Sequence, residues 1–364
     1  MRSSSGVHYV ALDHVRAAAA FLVFGWHFIH GYSGNPVPFE GAPALFPLAL
    51  LDEGHTGVAL FMTLSGFLFA KLLDGRGINY REFLFNRAIR LLPLLVFVVS
   101  IIGVKKAIIG EDLAYYALRI FYGIIKNTLP NGGWSITVEF HFYVLLPVLL
   151  ALTRKNIIYG ASVILSAIIL RAIIYAVYGE VQTAAYWYIF GRLDQFMLGI
   201  IAAKYQYYVK GKHAIMLFAF IIFSSFYWAF DAGGGFYKSP VYPSPSPLWI
   251  VMPTIEGAFY ALAISWYDGS FSPSRKGLSG FISKLGEFSY SIYLLHFFFV
   301  FYAAEFIHNN IMDISNFYIA TIWALLLFPL MIIPGFLSFH LIERPFLKLR
   351  KSYIVHKSRS EACA

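Results

Sequence analysis

Long apolar runs alternate with short polar segments along almost the whole chain of 364 residues. A helix that crosses a bilayer needs about 20 mostly apolar residues. Ten runs meet this requirement and predict ten transmembrane helices, at residues 14–33, 55–73, 91–109, 134–153, 156–178, 186–205, 213–230, 248–267, 286–307 and 316–340. The sixth run is the weakest, because residues 191–200 within it carry charged side chains.

The composition supports a membrane protein, since 59% of the residues are hydrophobic and only 13% are charged. A soluble domain typically has about 25% charged residues. A bilayer offers no hydrogen-bond partner to open backbone groups, so the spans are expected to be helical. The predicted fold class is therefore all-α, a polytopic membrane helical bundle. We expect a single transmembrane domain over residues 1–345 and a basic cytoplasmic tail over residues 346–364.

Lysine and arginine residues are concentrated in alternate connecting segments. Because these residues are enriched on the cytoplasmic side of membrane proteins, the bias predicts that both termini are cytoplasmic. The formal net charge of +9 is then explained by orientation in the membrane, and no nucleic-acid partner is expected. Asp13 and Arg16 interrupt the start of the first apolar run, and no small-residue cleavage site follows it. This run is therefore expected to stay as a helix and not to be removed as a signal peptide.

Two histidines, His27 and His30, lie near the far end of the first predicted span. Ionisable groups in hydrocarbon are costly and usually face a cavity or a partner. Arg16 and His27 are eleven positions apart, which places them within about 20° of each other around a helix, and Asp13 is within about 40° of that face. His27 is thus either a functional group or a histidine that bonds a neighbouring helix. No third ligand accompanies the two histidines, so no metal is expected.

Arg87 and Arg90 are three residues apart, just before the third predicted span. At this spacing they share one helix face, where two guanidinium groups can bind phosphates in bidentate geometry. The alternative is that both side chains snorkel to the cytoplasmic membrane surface. The spacing alone does not decide between the two.

Further polar side chains fall in the outer half or the midplane of the predicted spans: Ser65, Glu139, Arg192, Asp194, Glu256 and His296. A histidine among carboxylates in a dry pocket fits a general base with an orienting partner. A proton or ion pathway requires the same kinds of residue. The residue types alone therefore leave both an enzyme and a transporter open.

Several segments follow one another in an order that resembles a known family: residues 12–27 (LDHVRAAAAFLVFGWH), 57–73 (GVALFMTLSGFLFAKLL), 84–93 (LFNRAIRLLP), 134–150 (WSITVEFHFYVLLPVLL), 191–199 (GRLDQFMLG), 286–296 (GEFSYSIYLLH) and 343–345 (ERP). The chain resembles the acyltransferase 3 family, integral-membrane enzymes that move acyl groups from acyl-CoA onto sugars and other acceptors. No single segment is specific for this family. The order of the segments, together with the predicted topology, makes the resemblance specific.

The resemblance implies a role for each matching position. His27 is the expected catalytic base, accompanied by Glu139 and Asp13. Arg87 and Arg90, together with Arg16, are expected to bind the acyl donor. The expected substrate-binding residues are Arg192, Asp194, Trp134, Ser65 and His296.

The resemblance also implies the partners. The expected donor is acyl-CoA on the cytoplasmic side, with acetyl-CoA as the expected form, and no metal is required. The expected acceptor is a saccharide or a lipid-linked saccharide, reached from the inner membrane of a bacterial cell. Some members carry a fused extracytoplasmic hydrolase-like domain; this sequence is expected to complete the transfer itself or with a partner. It departs from the family at Phe140 and His141, where a second acidic residue or Gln is common, and at His14.

Two other classes of function remain possible at this stage. In a transporter or flippase, the same buried groups would line a substrate path. A signalling or scaffold membrane protein would tolerate replacement of His27. Within the enzymatic interpretation, the sequence leaves open whether an acyl-enzyme forms on His27 or on Ser65.

Overall fold

The structure is a computed structural model that describes residues 8–31, 34–73 and 75–355. Helices dominate it, as the sequence predicts. They are α1 Val10–His30, α2 Ala49–Asp52, α3 Gly57–Leu73, α4 Tyr80–Ile108, α5 Leu113–Tyr122, α6 Trp134–Lys155, α7 Ile157–Tyr178, α8 Gln182–Trp187, α9 Ile189–Lys204, α10 His213–Ala232, α11 Met252–Ser270, α12 Gly277–Glu287, α13 Ser289–Leu295, α14 Val300–Asn310, α15 Phe317–Leu327, α16 Ile332–Ser338 and α17 Arg344–Leu347. Short 3₁₀ turns at Phe46–Leu48, Gly54–Thr56, Gln206–Tyr208, Pro247–Ile250, His296–Phe298 and Phe328–Met331, and a π-helical turn at Phe339–Glu343, join several of them.

Six helical stretches in the described ranges are long and apolar enough to cross a membrane: Gly54–Leu73, Tyr80–Ile108, Trp134–Lys155, Ile157–Tyr178, His213–Ala232 and Phe317–Leu347. A seventh is added if Ser289–Phe298 and Val300–Asn310, which are bent by 50°, form one span. These stretches correspond to seven of the ten predicted runs and support an integral membrane protein. The count of ten and the cytoplasmic side of the termini stay predictions.

The other three predicted runs fold as α1, α9 and α11, which are helical but more polar. Their polar groups, such as Asp194 on α9 and Glu256 on α11, are buried inside the bundle. The apolar helices instead expose side chains on the outside of the bundle, for example Val96 on α4, Val177 on α7 and Phe218 on α10. Helices surrounded by protein can satisfy polar groups with one another, whereas helices in contact with lipid cannot. The polar groups of α1, α9 and α11 are therefore enclosed by protein side chains.

Helices α3 and α9 pack closely because glycines face each other's backbone. A Cβ atom at Gly66 would lie 2.0 Å from the carbonyl oxygen of Phe196, and one at Gly199 would lie 2.0 Å from that of Thr63. Small residues at a membrane helix interface allow such close approach. Phe142 of α6 stacks on Phe196, with ring centroids 4.0 Å apart. This contact holds α3, α6 and α9 in a fixed arrangement.

The start of α4 is held by a cap and by a small sheet. The side-chain oxygen of Asn79 accepts a hydrogen bond from the backbone N–H of Glu82 at 3.4 Å, which satisfies one of the open donors of the first turn. Strand β1, Gly77–Ile78, pairs antiparallel with strand β2, Ile354–Val355. The first part of the predicted tail, up to residue 355, thus contacts the helical domain. Residues 356–364 of that tail lie outside the described residues.

Candidate active site

A cavity of about 110 Å³ lies between α1, α3, α4, α6 and α13. Its wall contains five of the residues selected from the sequence: Arg16, Ser65, Arg87, Arg90 and Glu139. The remaining lining is mostly apolar or aromatic: Val58, Phe61, Met62, Leu64, Leu68, Phe69, Leu91, Ser135, Ile136, Tyr143, Ser289, Tyr290 and Tyr293. Concave, largely apolar sites with a few convergent polar groups are the usual form of small-molecule sites.

Glu139 is the central hydrogen-bond acceptor of this cavity. The Ser65 hydroxyl donates to its Oε1 atom at 3.1 Å, and the Tyr143 hydroxyl donates to the same oxygen. Glu139 and Tyr143 are four residues apart on α6, so both side chains project from one face of the helix. Ser65 comes from α3 across the cavity. The carboxylate is thereby fixed in place, and it contributes negative charge to a wall that also contains arginines.

Arg87 and Arg90 both direct their side chains into the cavity wall. The guanidinium carbon of Arg87 lies 5.2 Å from the ring centroid of Phe69 and 5.6 Å from that of Phe83, which is within the range of a cation–π interaction. The Nε atom of Arg87 is buried and has no hydrogen-bond partner among the described residues. A snorkelling arginine would extend to the surface. The placement of both side chains favours an anion-binding role over snorkelling.

Asp13 and Arg16 form an ion pair at one end of the cavity. Arg16 Nη1 donates to Asp13 Oδ1 at 2.5 Å, and only Arg16 reaches the cavity wall. Asp13 is buried and also accepts from Ser283 at 3.4 Å and contacts His8. Asp13 therefore orients Arg16 and does not face the cavity itself.

The potential metal ligands among the described residues are His8, Asp13 and Glu287, whose ligand atoms lie within 4.8 Å of one another. The Arg16 guanidinium already occupies one oxygen of Asp13. Its positive charge opposes binding of a cation to the same carboxylate. The ion-pair contacts account for this group, and the absence of a metal stays a prediction.

His27 is paired with His296, the other histidine selected from the sequence. The Nδ1 atom of His296 lies 2.7 Å from the carbonyl oxygen of Tyr293, so this nitrogen carries the proton and Nε2 of His296 is an acceptor. The Nδ1 atom of His27 lies 2.8 Å from the Val23 carbonyl oxygen and 3.2 Å from Nε2 of His296. Both neighbours are acceptors, so His27 carries its proton on Nδ1. Its Nε2 atom then has a lone pair and can act as a base.

The structure places His27 behind the cavity wall and not in it. Tyr293 lines the cavity, the ring of His296 is centred 6.0 Å behind the Tyr293 ring, and the His27 ring is centred 5.0 Å beyond His296. His27 and Arg16 stand at opposite ends of α1. The predicted shared face thus separates into two sites: the cavity that contains Arg16, and the pair of imidazoles one aromatic ring away.

Arg192 and Trp134, predicted to bind substrate, lie together outside the cavity wall. The Arg192 guanidinium lies 4.2 Å from the Tyr186 ring centroid and 5.7 Å from that of Trp134. Its Nε atom donates to the Tyr186 carbonyl at 2.6 Å and its Nη1 atom to Gln195 Oε1 at 3.0 Å. These contacts account for a structural role in the bundle, and a role in substrate binding stays a prediction.

Asp194 is likewise engaged inside the bundle. It accepts from Arg171 Nη2 at 2.7 Å and from the Thr254 hydroxyl at 2.5 Å, and both Arg171 and Asp194 are fully buried. Arg171 lies on α7, in the middle of an apolar run, and was not selected from the sequence. Its position within that run was the available signal for a buried ion pair.

The sequence reasoning missed the aromatic and hydroxyl groups of the cavity. Tyr143, Tyr290 and Tyr293 contribute hydroxyls or rings to its wall. The Tyr290 hydroxyl donates to the Leu91 carbonyl of α4, so α13 is tied to the helix that carries the two arginines. Tyrosines are common at membrane interfaces. No pattern in the sequence separates these three from lipid-facing aromatic residues.

Comparison with known proteins identifies related sequences. A family model described as an acyltransferase domain matches residues 9–340. A protein of Staphylococcus aureus strain MRSA252 named "Putative O-acetyltransferase" is 26% identical over 363 residues, which cover 84% of this chain. The protein of the same name from strain COL is 26% identical over 350 residues and covers 82% of the chain. "Putative membrane-bound transacylase BcsY" of Komagataeibacter xylinus is 29% identical over 183 residues, 43% of this chain and 46% of that protein.

The chain spans about half the length of these curated relatives. The match covers 56% of the protein from strain MRSA252 and 53% of the one from strain COL. No solved structure matches this chain.

Proposed function

Because the chain belongs to the acyltransferase 3 family, we propose that it transfers an acetyl group from acetyl-CoA to a hydroxyl group of a saccharide or a saccharide-bearing lipid. The observation that carries this proposal is the cavity whose wall contains Arg87 and Arg90 together with Ser65 and Glu139. It combines cationic groups suited to phosphates with a small polar interior suited to a thioester.

The donor enters from the cytoplasmic side. Arg87 and Arg90 lie in the N-terminal half of α4, at the end where the sequence predicts the cytoplasm. Their guanidinium groups hold the pyrophosphate of CoA through charge-assisted, bidentate hydrogen bonds. The pantetheine arm then extends along the apolar wall, and the thioester is directed toward the centre of the bundle.

The acceptor hydroxyl is activated by His27. The Nε2 atom of His27 removes the hydroxyl proton while the oxygen attacks the thioester carbonyl. The carbon–sulfur bond breaks, and the CoA thiolate takes the proton back from the imidazolium. His296 accepts from the Nδ1–H group of His27 and keeps the reactive lone pair on Nε2. A general base of this kind contributes about 10²–10⁴ in rate.

Donor and acceptor approach His27 from opposite sides. His27 lies at the C-terminal end of α1, which is the outer end in the predicted topology, so the acceptor arrives from outside. The Tyr293 ring lies between the cavity and the imidazole pair. The protein acts in this scheme within the inner membrane of a bacterium.

The test is acetyl transfer by the purified chain in detergent. Labelled acetyl-CoA is supplied together with a mixture of simple glycosides, and labelled esters are measured by mass spectrometry. The proposal predicts CoA release and O-acetylated glycoside in equal amounts. A transporter or flippase would use the same buried groups without consuming acetyl-CoA. The enzymatic proposal would therefore be rejected if the chain neither binds acetyl-CoA nor consumes it with any glycoside or cell-envelope extract.

A further inference from the structure

The segment at residues 348–355, here called the C-terminal strap, is bound to the start of α4. Lys351 makes two backbone hydrogen bonds with the side chain of Asn86: its N–H donates to Oδ1 at 3.0 Å, and its carbonyl accepts from Nδ2 at 2.7 Å. The Tyr353 carbonyl accepts from the Asn79 N–H at 2.8 Å, and the buried Tyr353 ring lies 5.5 Å from the ring of Phe83. The strap therefore has a fixed register on α4.

This register places Arg350 beside the arginines of the donor cavity. Asn86, which binds the neighbouring residue of the strap, directly precedes Arg87 on α4. Burial lowers the pKa of the Arg350 guanidinium to about 10, and the charges of Arg90 and Arg87 contribute in the same direction. Arg350 still carries its full positive charge at neutral pH. Three guanidinium groups thus share one end of the molecule.

Such a group of like charges is unfavourable without an anion. Each pair of nearby cations raises the free energy of the folded protein, and burial increases this cost. Among the described residues, the carboxylates near these arginines are Glu343, beside Arg90 and Arg350, and Glu139, beside Arg87. They balance part of the positive charge. A strap with only a structural role could be held by its contacts with Asn86 and by the buried Tyr353 ring. It would not need an arginine next to Arg87 and Arg90. The arrangement fits a ligand that carries several separate phosphate charges.

The order of the three arginines matches the order of groups along CoA. Arg87 and Arg90 line the cavity, whereas the described lining does not include Arg350, which lies outside it on the strap. In acyl-CoA the thioester is at one end, the pyrophosphate is in the middle, and the ribose 3′-phosphate is at the far end. When the thioester is in the cavity, the far end of the molecule lies on the strap side.

We propose that Arg350 binds the ribose 3′-phosphate of acyl-CoA and so makes the donor site selective for CoA over donors that lack this phosphate. This inference rests on the proposed function, since it takes acyl-CoA as the donor. Arg87 and Arg90 hold the pyrophosphate in this arrangement. The C-terminal strap is then a part of the donor site and not a free tail.

The experiment compares two donors in a binding assay with the full chain purified in detergent. Acetyl-CoA and acetyl-3′-dephospho-CoA compete with labelled acetyl-CoA, and their dissociation constants are measured for the wild type and for Arg350→Ala. The wild type is expected to bind acetyl-CoA about tenfold or more tightly than the dephosphorylated donor, as for loss of a charged hydrogen bond. In Arg350→Ala this preference is expected to disappear, with the affinity for the dephosphorylated donor unchanged.

Lys348→Ala is the matched control, because Lys348 is an exposed cation on the same strap. It is expected to keep the wild-type preference. If Arg350→Ala does not give a monodisperse protein, Arg350→Lys serves instead; it keeps the charge but loses the guanidinium fork, so a severalfold smaller preference is expected.

The remaining outcomes overturn either this inference or the proposed function. Three results would overturn the assignment of Arg350. The Arg350 variant could lose affinity equally for both donors, it could keep the wild-type affinity for both, or the wild type itself could bind both donors equally well. Those results leave the proposed function intact, because the wild type still binds acetyl-CoA. A wild type that binds neither donor would instead overturn the proposed function.

Discussion

The Nε2 atom of His296 lies 3.2 Å from the Nδ1 atom of His27. Each imidazole also has Nδ1 next to a carbonyl oxygen of its own helix, so the proton positions of both rings are fixed by their neighbours. The chain thereby presents one defined lone pair, on Nε2 of His27. The sequence identified both histidines, but it assigned them separately, one as a base and one to substrate binding.

The first prediction concerns the base itself. His27→Ala is expected to lower kcat for acetyl transfer by about 10²–10⁴, because the acceptor hydroxyl loses its proton acceptor. The dissociation constant for acetyl-CoA is expected to stay at the wild-type value, since the donor arginines are on α4. Steady-state kinetics and equilibrium binding on the same preparation provide both numbers. Full activity in the variant would show that another residue is the base.

The second prediction separates direct transfer from an acyl-enzyme. Ser65 donates to Glu139 inside the cavity, which is the arrangement of a potential nucleophile and base. Direct transfer to an acceptor at His27 predicts that Ser65→Ala loses at most about tenfold in kcat, the cost of one hydrogen bond. It also predicts that intact-mass spectra after mixing with acetyl-CoA alone show no acetylated protein. An acetyl adduct on Ser65, together with an inactive alanine variant, would establish the covalent route.

The third prediction tests the arginines of α4. Arg87→Lys keeps the positive charge but loses the planar fork, so the affinity for acetyl-CoA is expected to fall by about tenfold or more. Arg81→Lys is the matched control, because Arg81 is exposed on the same helix. It is expected to bind acetyl-CoA as the wild type does. Equal affinities in the two variants would favour snorkelling of Arg87 over phosphate binding.

The sequence predicted the parts of the site that depend on one helix. Arg87 and Arg90 share a face of α4 because helical spacing alone determines it, and the cavity contains both. Arg16 and His27 also share a face of α1, but they reach different neighbours along its length. The ring packed between the cavity and the imidazole pair belongs to Tyr293 of α13, which is distant in sequence. Such contacts between helices depend on packing that periodicity does not describe.

Helical periodicity also does not reveal that Arg171 and Asp194 form a buried ion pair. The family resemblance predicts a substrate-binding role for Asp194, which lies in the matching segment 191–199. Its partner is on α7, an otherwise apolar helix that exposes Ile169 and Val177. An ion pair inside the bundle satisfies both charges at once, and only the arrangement of α7 next to α9 reveals it. The fold class followed from composition, whereas the pairing of charges did not.

The fourth prediction concerns topology. The chain contains a single cysteine, Cys363, which is expected on the cytoplasmic side. A membrane-impermeant maleimide should therefore leave it unlabelled in intact cells and label it after the membrane is opened. An Asp231→Cys variant is unsuitable as a control, because Asp231 is fully buried. Val241 is exposed and lies between the seventh and eighth predicted spans, a segment that cytoplasmic termini and ten spans place outside, so Val241→Cys is expected to label in intact cells. The reverse labelling pattern would invert the assigned directions of donor and acceptor.

The fifth prediction concerns the packing that positions Ser65. Gly66→Ala places a methyl group 2.0 Å from the Phe196 carbonyl oxygen, so α3 and α9 must separate. Overpacking of this kind costs about 1–3 kcal/mol, and the thermal unfolding midpoint in detergent is expected to fall. Gly25→Ala is the matched control, because a Cβ at this buried helical glycine meets nothing within 4 Å. That variant is expected to be neutral or more stable, since alanine is favoured over glycine in a helix by about 0.5–1 kcal/mol. Equal midpoints for the two variants would show that the packing of α3, and so the position of Ser65, does not depend on this contact.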